Sequence, residues 1–79
     1  MGFHEYDVVA LTIEVQAIHK ATGQPILLQP GQVGTILMQL SERAYLVDFS
    51  DPQGFTYAME SIPPTQLMQL HYEPAPIAA

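Results

Sequence analysis

Thr12-Ile13-Glu14-Val15-Gln16-Ala17 alternates polar and apolar residues strictly, and Ala44-Tyr45-Leu46-Val47-Asp48-Phe49 and Phe55-Thr56-Tyr57-Ala58-Met59-Glu60 do nearly the same. A period of two is the spacing of a strand with one face on a core, and it cannot supply the 3.6-residue stripe of an amphipathic helix. No window offers a capped helical pattern, so the sequence predicts an all-β chain.

The turn chemistry divides the strands. Tyr6 to Ala17 reads as one long first strand, with a β-branched cluster at Val8-Val9. Lys20-Ala21-Thr22-Gly23 turns the chain, Pro25-Ile26-Leu27-Leu28 returns, and Gln29-Pro30-Gly31 breaks it again, which predicts a hairpin arm. Pro25 belongs on an edge, because it has no N–H to give an inner ladder. Val33 to Leu40 is the next strand, with Gly34 expected at a bulge or a close backbone approach. Ile36, Leu37, Met38 and Leu40 cannot all point inward. In Ser50-Asp51-Pro52-Gln53-Gly54, proline presets φ near the front and glycine accepts a positive φ at the end. Ile62-Pro63-Pro64-Thr65-Gln66 reads as a turn or one 3₁₀ turn, and Leu67 to Tyr72 as the last strand. Five strands, an early excursion and a short turn before the last strand outline a small SH3-like five-stranded barrel. Its excursion lies between the first two strands; another small all-β topology is the alternative. Residues 1–73 form one domain on this reading, and residues 74–79 a flexible tail.

Composition narrows the function. Charged residues make up 13% of the chain, against about 25% in an average domain, and so little charge favours self-association. Lys20 and Arg43 stand alone against eight acidic residues. Such a surface gains none of the counterion release that drives nucleic-acid binding, and it lacks the cations that hold proteins on anionic lipid. No apolar stretch approaches the roughly 20 residues of a membrane span, and no secretory signal opens the chain, so a cytoplasmic location is expected. The absence of cysteine removes thiolate metal sites and thiol nucleophiles.

These residues resemble a known family. Tyr6-Asp7-Val8-Val9-Ala10-Leu11, Gly31-Gln32-Val33-Gly34-Thr35-Ile36, Ala44 to Phe49 and Gln66 to Pro74 are similar to the small bacterial proteins of the DUF4926 family of unknown function. The resemblance covers nearly the whole chain and implies an SH3-like fold, with no activity, ligand or catalytic residue to transfer. The chain departs from the family pattern between Leu11 and Gly31, where the excursion is longer, and at Met38 and Leu46, where glutamate is expected. Both departures make the surface more apolar.

Other constellations weigh less. His4, Glu5, Asp7, His71 and Glu73 could gather where first and last strands meet, but no pair has a recognised metal spacing, and solvated side chains are the simpler reading. Ser41, Ser50 and Ser61 lie in no nucleophile elbow, so no enzyme and no cofactor are expected. Tyr6, Tyr45, Tyr57, Tyr72, Phe49 and Phe55 could line a groove for proline-rich peptides, yet aromatics at alternating strand positions are more often core. The sequence thus predicts a noncatalytic interaction module, a homo-oligomer held by an apolar sheet face or by its arm, with Ile26, Leu27, Leu37, Met38 and Leu46 at the interface. The alternative is an acidic regulatory or immunity-like protein that binds a basic partner encoded nearby.

Overall fold

The computed structural model describes residues 2–77. Among these residues the fold is all-β, with seven strands in two sheets: β1 (Val8–Leu11), β2 (Val15–Ile18), β3 (Pro25–Leu28), β4 (Val33–Ser41), β5 (Ala44–Ser50), β6 (Thr56–Ile62) and β7 (Leu67–Gln69). A single 3₁₀ turn, Pro64–Gln66, precedes β7, and no α-helix occurs among the described residues. β6, β5, β4, β1 and β7 form one antiparallel sheet in that order, and β2 and β3 form a separate hairpin. The ladder is open: β6 and β7 are its two edges and do not pair, so the closure expected of a barrel is not present.

The expected first strand is broken. Thr12, Ile13 and Glu14 bend the chain out of the main sheet, and β2 resumes in the arm. Two backbone bonds fix the departure, from Thr12 N–H to the Gln66 carbonyl and from Gly31 N–H to the Leu11 carbonyl, at 3.0 and 2.7 Å. Alternation alone cannot reveal such a bend, because Ile13 keeps the period while turning to solvent. β7 is also shorter than expected and stops at Gln69, although Leu70 N–H still reaches the Val8 carbonyl at 2.8 Å. Of the expected tail, Ala78 and Ala79 lie outside the described residues.

The core lies between the inner face of the five-stranded sheet and the arm. Phe49, Val47 and Tyr45 of β5 face it with Val9 and Leu11 of β1 and Ile36 of β4. Ala58 and Ile62 of β6, Leu67 of β7, and Ala17 and Leu28 of the arm complete it. Phe3 closes one end: its ring meets Tyr45 edge to face with centroids 5.5 Å apart, and its N–H donates to the Tyr45 hydroxyl at 3.1 Å. Gly34 is where the sheet is tightest. A Cβ there would stand 2.6 Å from Val47 Cγ1 and 2.9 Å from Phe49 Cε1. Gly34 is thus required by side chains of the neighbouring strand, and not by the bulge or close backbone approach expected there: the bulges of β4 lie between Ile36 and Met38 and between Gln39 and Ser41.

Tyr6 carries local strain. It is the third residue of a turn closed by Asp7 N–H on the His4 carbonyl at 3.0 Å, and its φ of 69° lies in the left-handed region. That region disfavours side chains with a Cβ by about 1–2 kcal/mol, while asparagine adopts it readily. Tyr6 is exposed, so little packing opposes a change. Tyr6→Asn is expected to raise unfolding stability by up to about 1 kcal/mol, read as a higher urea midpoint with an unchanged slope. A lower midpoint would show that the tyrosine ring contributes more than its backbone loses.

Candidate interaction surface

The outer face of the β4–β5–β6 meander is set by β-bulges. β4 carries one extra residue between Ile36 and Met38 and another between Gln39 and Ser41, relative to β5. Ile36 pairs with Val47 and faces the core, while Met38 pairs with Leu46 on the opposite, outer face. Without the first bulge the period of two would turn Met38 inward with Ile36. Met38 is 54% exposed, and Leu37 and Leu46 are half-buried. Three of the five residues singled out in the sequence therefore cluster at one end of the meander. On the same face Asp48 pairs with Thr35 on one side and Met59 on the other. Its Oδ2 accepts from the Ser50 hydroxyl at 3.2 Å, while its Oδ1 is buried without a donor among the described residues.

A second apolar row on this sheet has no clear signature in the sequence. Ala10 pairs with Val33 of β4 and Met68 of β7. Ala10 is buried, whereas both flanking side chains are about half exposed, at 51% and 54%. Neither Val33 nor Met68 lies in a cleanly alternating run, so only the pairing of β1 between β4 and β7 brings them together.

The arm holds the other two residues and separates them. Its register pairs Val15 with Leu28, Gln16 with Leu27, Ala17 with Ile26 and Ile18 with Pro25. Ile26 packs toward the core beside Ala17, and Leu27 turns outward, 48% exposed, on the face that also carries Ile18. The arm docks on β6 at its tip. Lys20 N–H donates to the Tyr57 carbonyl at 2.9 Å, the His19 ring stacks on Tyr57, and the Tyr57 hydroxyl accepts from Gln32 Nε2 at 2.7 Å. His19 Nδ1 also accepts the N–H groups of Ala21 and Thr22 at 3.1 and 3.3 Å, much as an asparagine oxygen caps a turn. A groove of about 640 Å³ runs along the arm, lined by Ile18, Pro25, Ile26 and Leu27 with Glu60 across from them.

The remaining groups are dispersed. β1 and β7 do pair, and Asp7, His71 and Glu73 line one shallow groove with Tyr6 and Tyr72. Among the described residues, however, no three histidine or acidic side chains converge on a point that could hold a metal ion. His4 Nδ1 approaches Asp7 Oδ2 at 3.8 Å on the surface. The aromatics do not form one groove: Tyr45 and Phe49 are buried, Tyr57 braces the arm, Tyr6 and Tyr72 share the shallow groove beside β1 and β7, and Phe55 is exposed on the β5–β6 turn. No helix among the described residues is long and apolar enough to cross a membrane.

An open five-stranded antiparallel sheet, a docked two-stranded arm and two apolar rows on the outer sheet face define a small all-β domain. The chain belongs to the family described as a domain of unknown function, DUF4926, whose model matches residues 5–69. That span begins at the strained turn and ends at the last residue of β7. No curated protein and no solved structure matches the chain.

Proposed function

We propose that this domain is a noncatalytic SH3-like module that binds a second copy of itself through the apolar outer face of its meander. The SH3-like reading is supported by the strand order. A three-stranded meander, β4–β5–β6, is extended by the first and last strands, and the one long excursion falls between β1 and β4. The observation that carries the self-association reading is the Met38–Leu46 pair, cross-strand neighbours on the outer face of an antiparallel sheet. Such a pair is normally solvated and polar when one face of a sheet meets water. The chain as a whole is acidic, but Asp48 is the one charged residue of β4 and β5, so few like charges oppose contact between copies on this face.

Sedimentation is the direct test. The wild-type chain is expected to be a dimer or larger at tens of micromolar. Met38→Glu, a change at an exposed position, should weaken association at least about tenfold, the scale of a residue near the centre of an interface. Leu46→Glu should do the same, with folding checked by circular dichroism because Leu46 is half-buried. A monomeric wild type, or a Met38→Glu chain that associates as before, would remove the basis for this reading.

A further inference from the structure

We infer that β3, the outer strand of the arm, is an edge that pairs antiparallel with β3 of a second copy, centred on Leu27; this rests on the self-association reading above and gives it a second contact. The hydrogen-bond phase of the arm leads to this edge. His19 N–H donates to the Gln24 carbonyl at 2.8 Å, in the same register as the four pairs of the hairpin. Opposed residues in an antiparallel ladder alternate between bonded and non-bonded pairs. Ala17–Ile26 and Val15–Leu28 are then bonded pairs, and Ile18–Pro25 and Gln16–Leu27 are not. The backbone groups of Ile26 and Leu28 are used within the arm. The N–H and carbonyl of Leu27 and the carbonyl of Pro25 point to the open side, since among the described residues β3 has no sheet neighbour but β2. Pro25 is tolerated because its missing N–H faces outward.

Two such edges are complementary about a two-fold axis. With Leu27 opposite Leu27 of the second copy, each N–H meets the other carbonyl, and the missing donor of Pro25 falls at the end of the short ladder. Leu27 side chains from the two copies then lie together on the outer arm face, beside Ile18 and Pro25.

Charge selects a second copy over other occupants. The chain carries a net charge of −6, yet no charged residue occurs from Ala21 to Ser41, a run that contains all of β3 and β4. A basic partner would find no carboxylate on this strand itself, only Glu60 across the groove, whereas a second copy brings the same uncharged strand, so the repulsion between two acidic chains is least along this edge. The antiparallel arrangement also directs the Lys20 tip of each arm toward the Glu14 base of the other. The devices that keep natural edges from pairing, charged side chains and bulges, are absent from β3, and the proline stands only at its first position.

The chain has no cysteine, so a single introduced thiol reports the contact without interference. Bonded antiparallel pairs have Cα atoms about 5.5 Å apart, within the range a disulfide spans. Leu27→Cys is expected to form a disulfide dimer under mild oxidation at least about tenfold faster than Phe55→Cys, an exposed control on the β5–β6 turn. Leu27→Pro removes the outward N–H and leaves the β2 ladder whole; it should weaken association at least about tenfold, through loss of both central bonds. Its fold is checked by the near-ultraviolet spectrum of Tyr57 and Tyr45. If copies associate, Met38→Glu separates them, and Leu27→Cys cross-links no faster than the control, the edge pairing is wrong while the meander reading stands. If the wild type is monomeric and Leu27→Cys cross-links no faster than the control, both are overturned.

Discussion

Gly34→Val will leave this chain unfolded, and Gly34→Ala will lower its stability by about 1–3 kcal/mol, the usual penalty for forcing a methyl into a filled core. The atoms that an added Cβ meets, Val47 Cγ1 and Phe49 Cε1, belong to fully buried side chains on the adjacent strand. Neither can swing toward water. Val47→Ala removes one of the two obstacles, so Gly34→Ala combined with Val47→Ala should lose clearly less stability than the sum of the single changes. Strict additivity in that double-mutant cycle, measured by urea unfolding, would mean that the strain at Gly34 lies in the backbone and not in this contact.

Phe49→Ala is expected to destabilise by about 3–5 kcal/mol, the range for a fully buried aromatic. Phe49 has no exposed surface and is the largest fully buried side chain. Domains have about 5–15 kcal/mol to lose, so this one change consumes a large share. The melting temperature should fall by more than about 12 °C, at roughly 4 °C or more per kcal/mol for a chain of this size. Phe49→Leu, which keeps most of the volume, should fall much less. A small loss for Phe49→Ala would show that the arm collapses into the vacated space, which the docking of Lys20 and His19 on Tyr57 opposes.

Much of the strand pattern was legible because period-two alternation is a local property. β5 is the clearest case: Tyr45, Val47 and Phe49 alternate in sequence and all three are buried. The hairpin at Lys20–Gly23 and the turn at Asp51–Gly54 were legible through their proline and glycine chemistry. In the second, Asp51 Oδ1 accepts the N–H groups of Gln53 and Phe55 at 2.9 and 3.0 Å, and Gly54 takes a φ of +91°. What stayed hidden is set by partners distant in sequence. The two bulges of β4 exist only relative to β5, and they decide that Met38 faces out while Ile36 faces in. The apolar row at Val33 and Met68 depends on β1 lying between strands from opposite parts of the chain. That the sheet stays open, with the tip of the arm bonded to β6 and not β7, is likewise recorded by no local signal.

The placement of β1 beside β7 has a mechanical consequence. Val9 pairs with Gln69 and Leu11 with Leu67, so the leading end of the first strand lies next to the trailing end of the last. Tension applied between the two ends of the domain therefore loads these hydrogen bonds one after another, as in a zipper, and never as a group in shear. The domain is built to tolerate little pulling along its own chain, and a force-bearing role as a link in series would open it at β7 first.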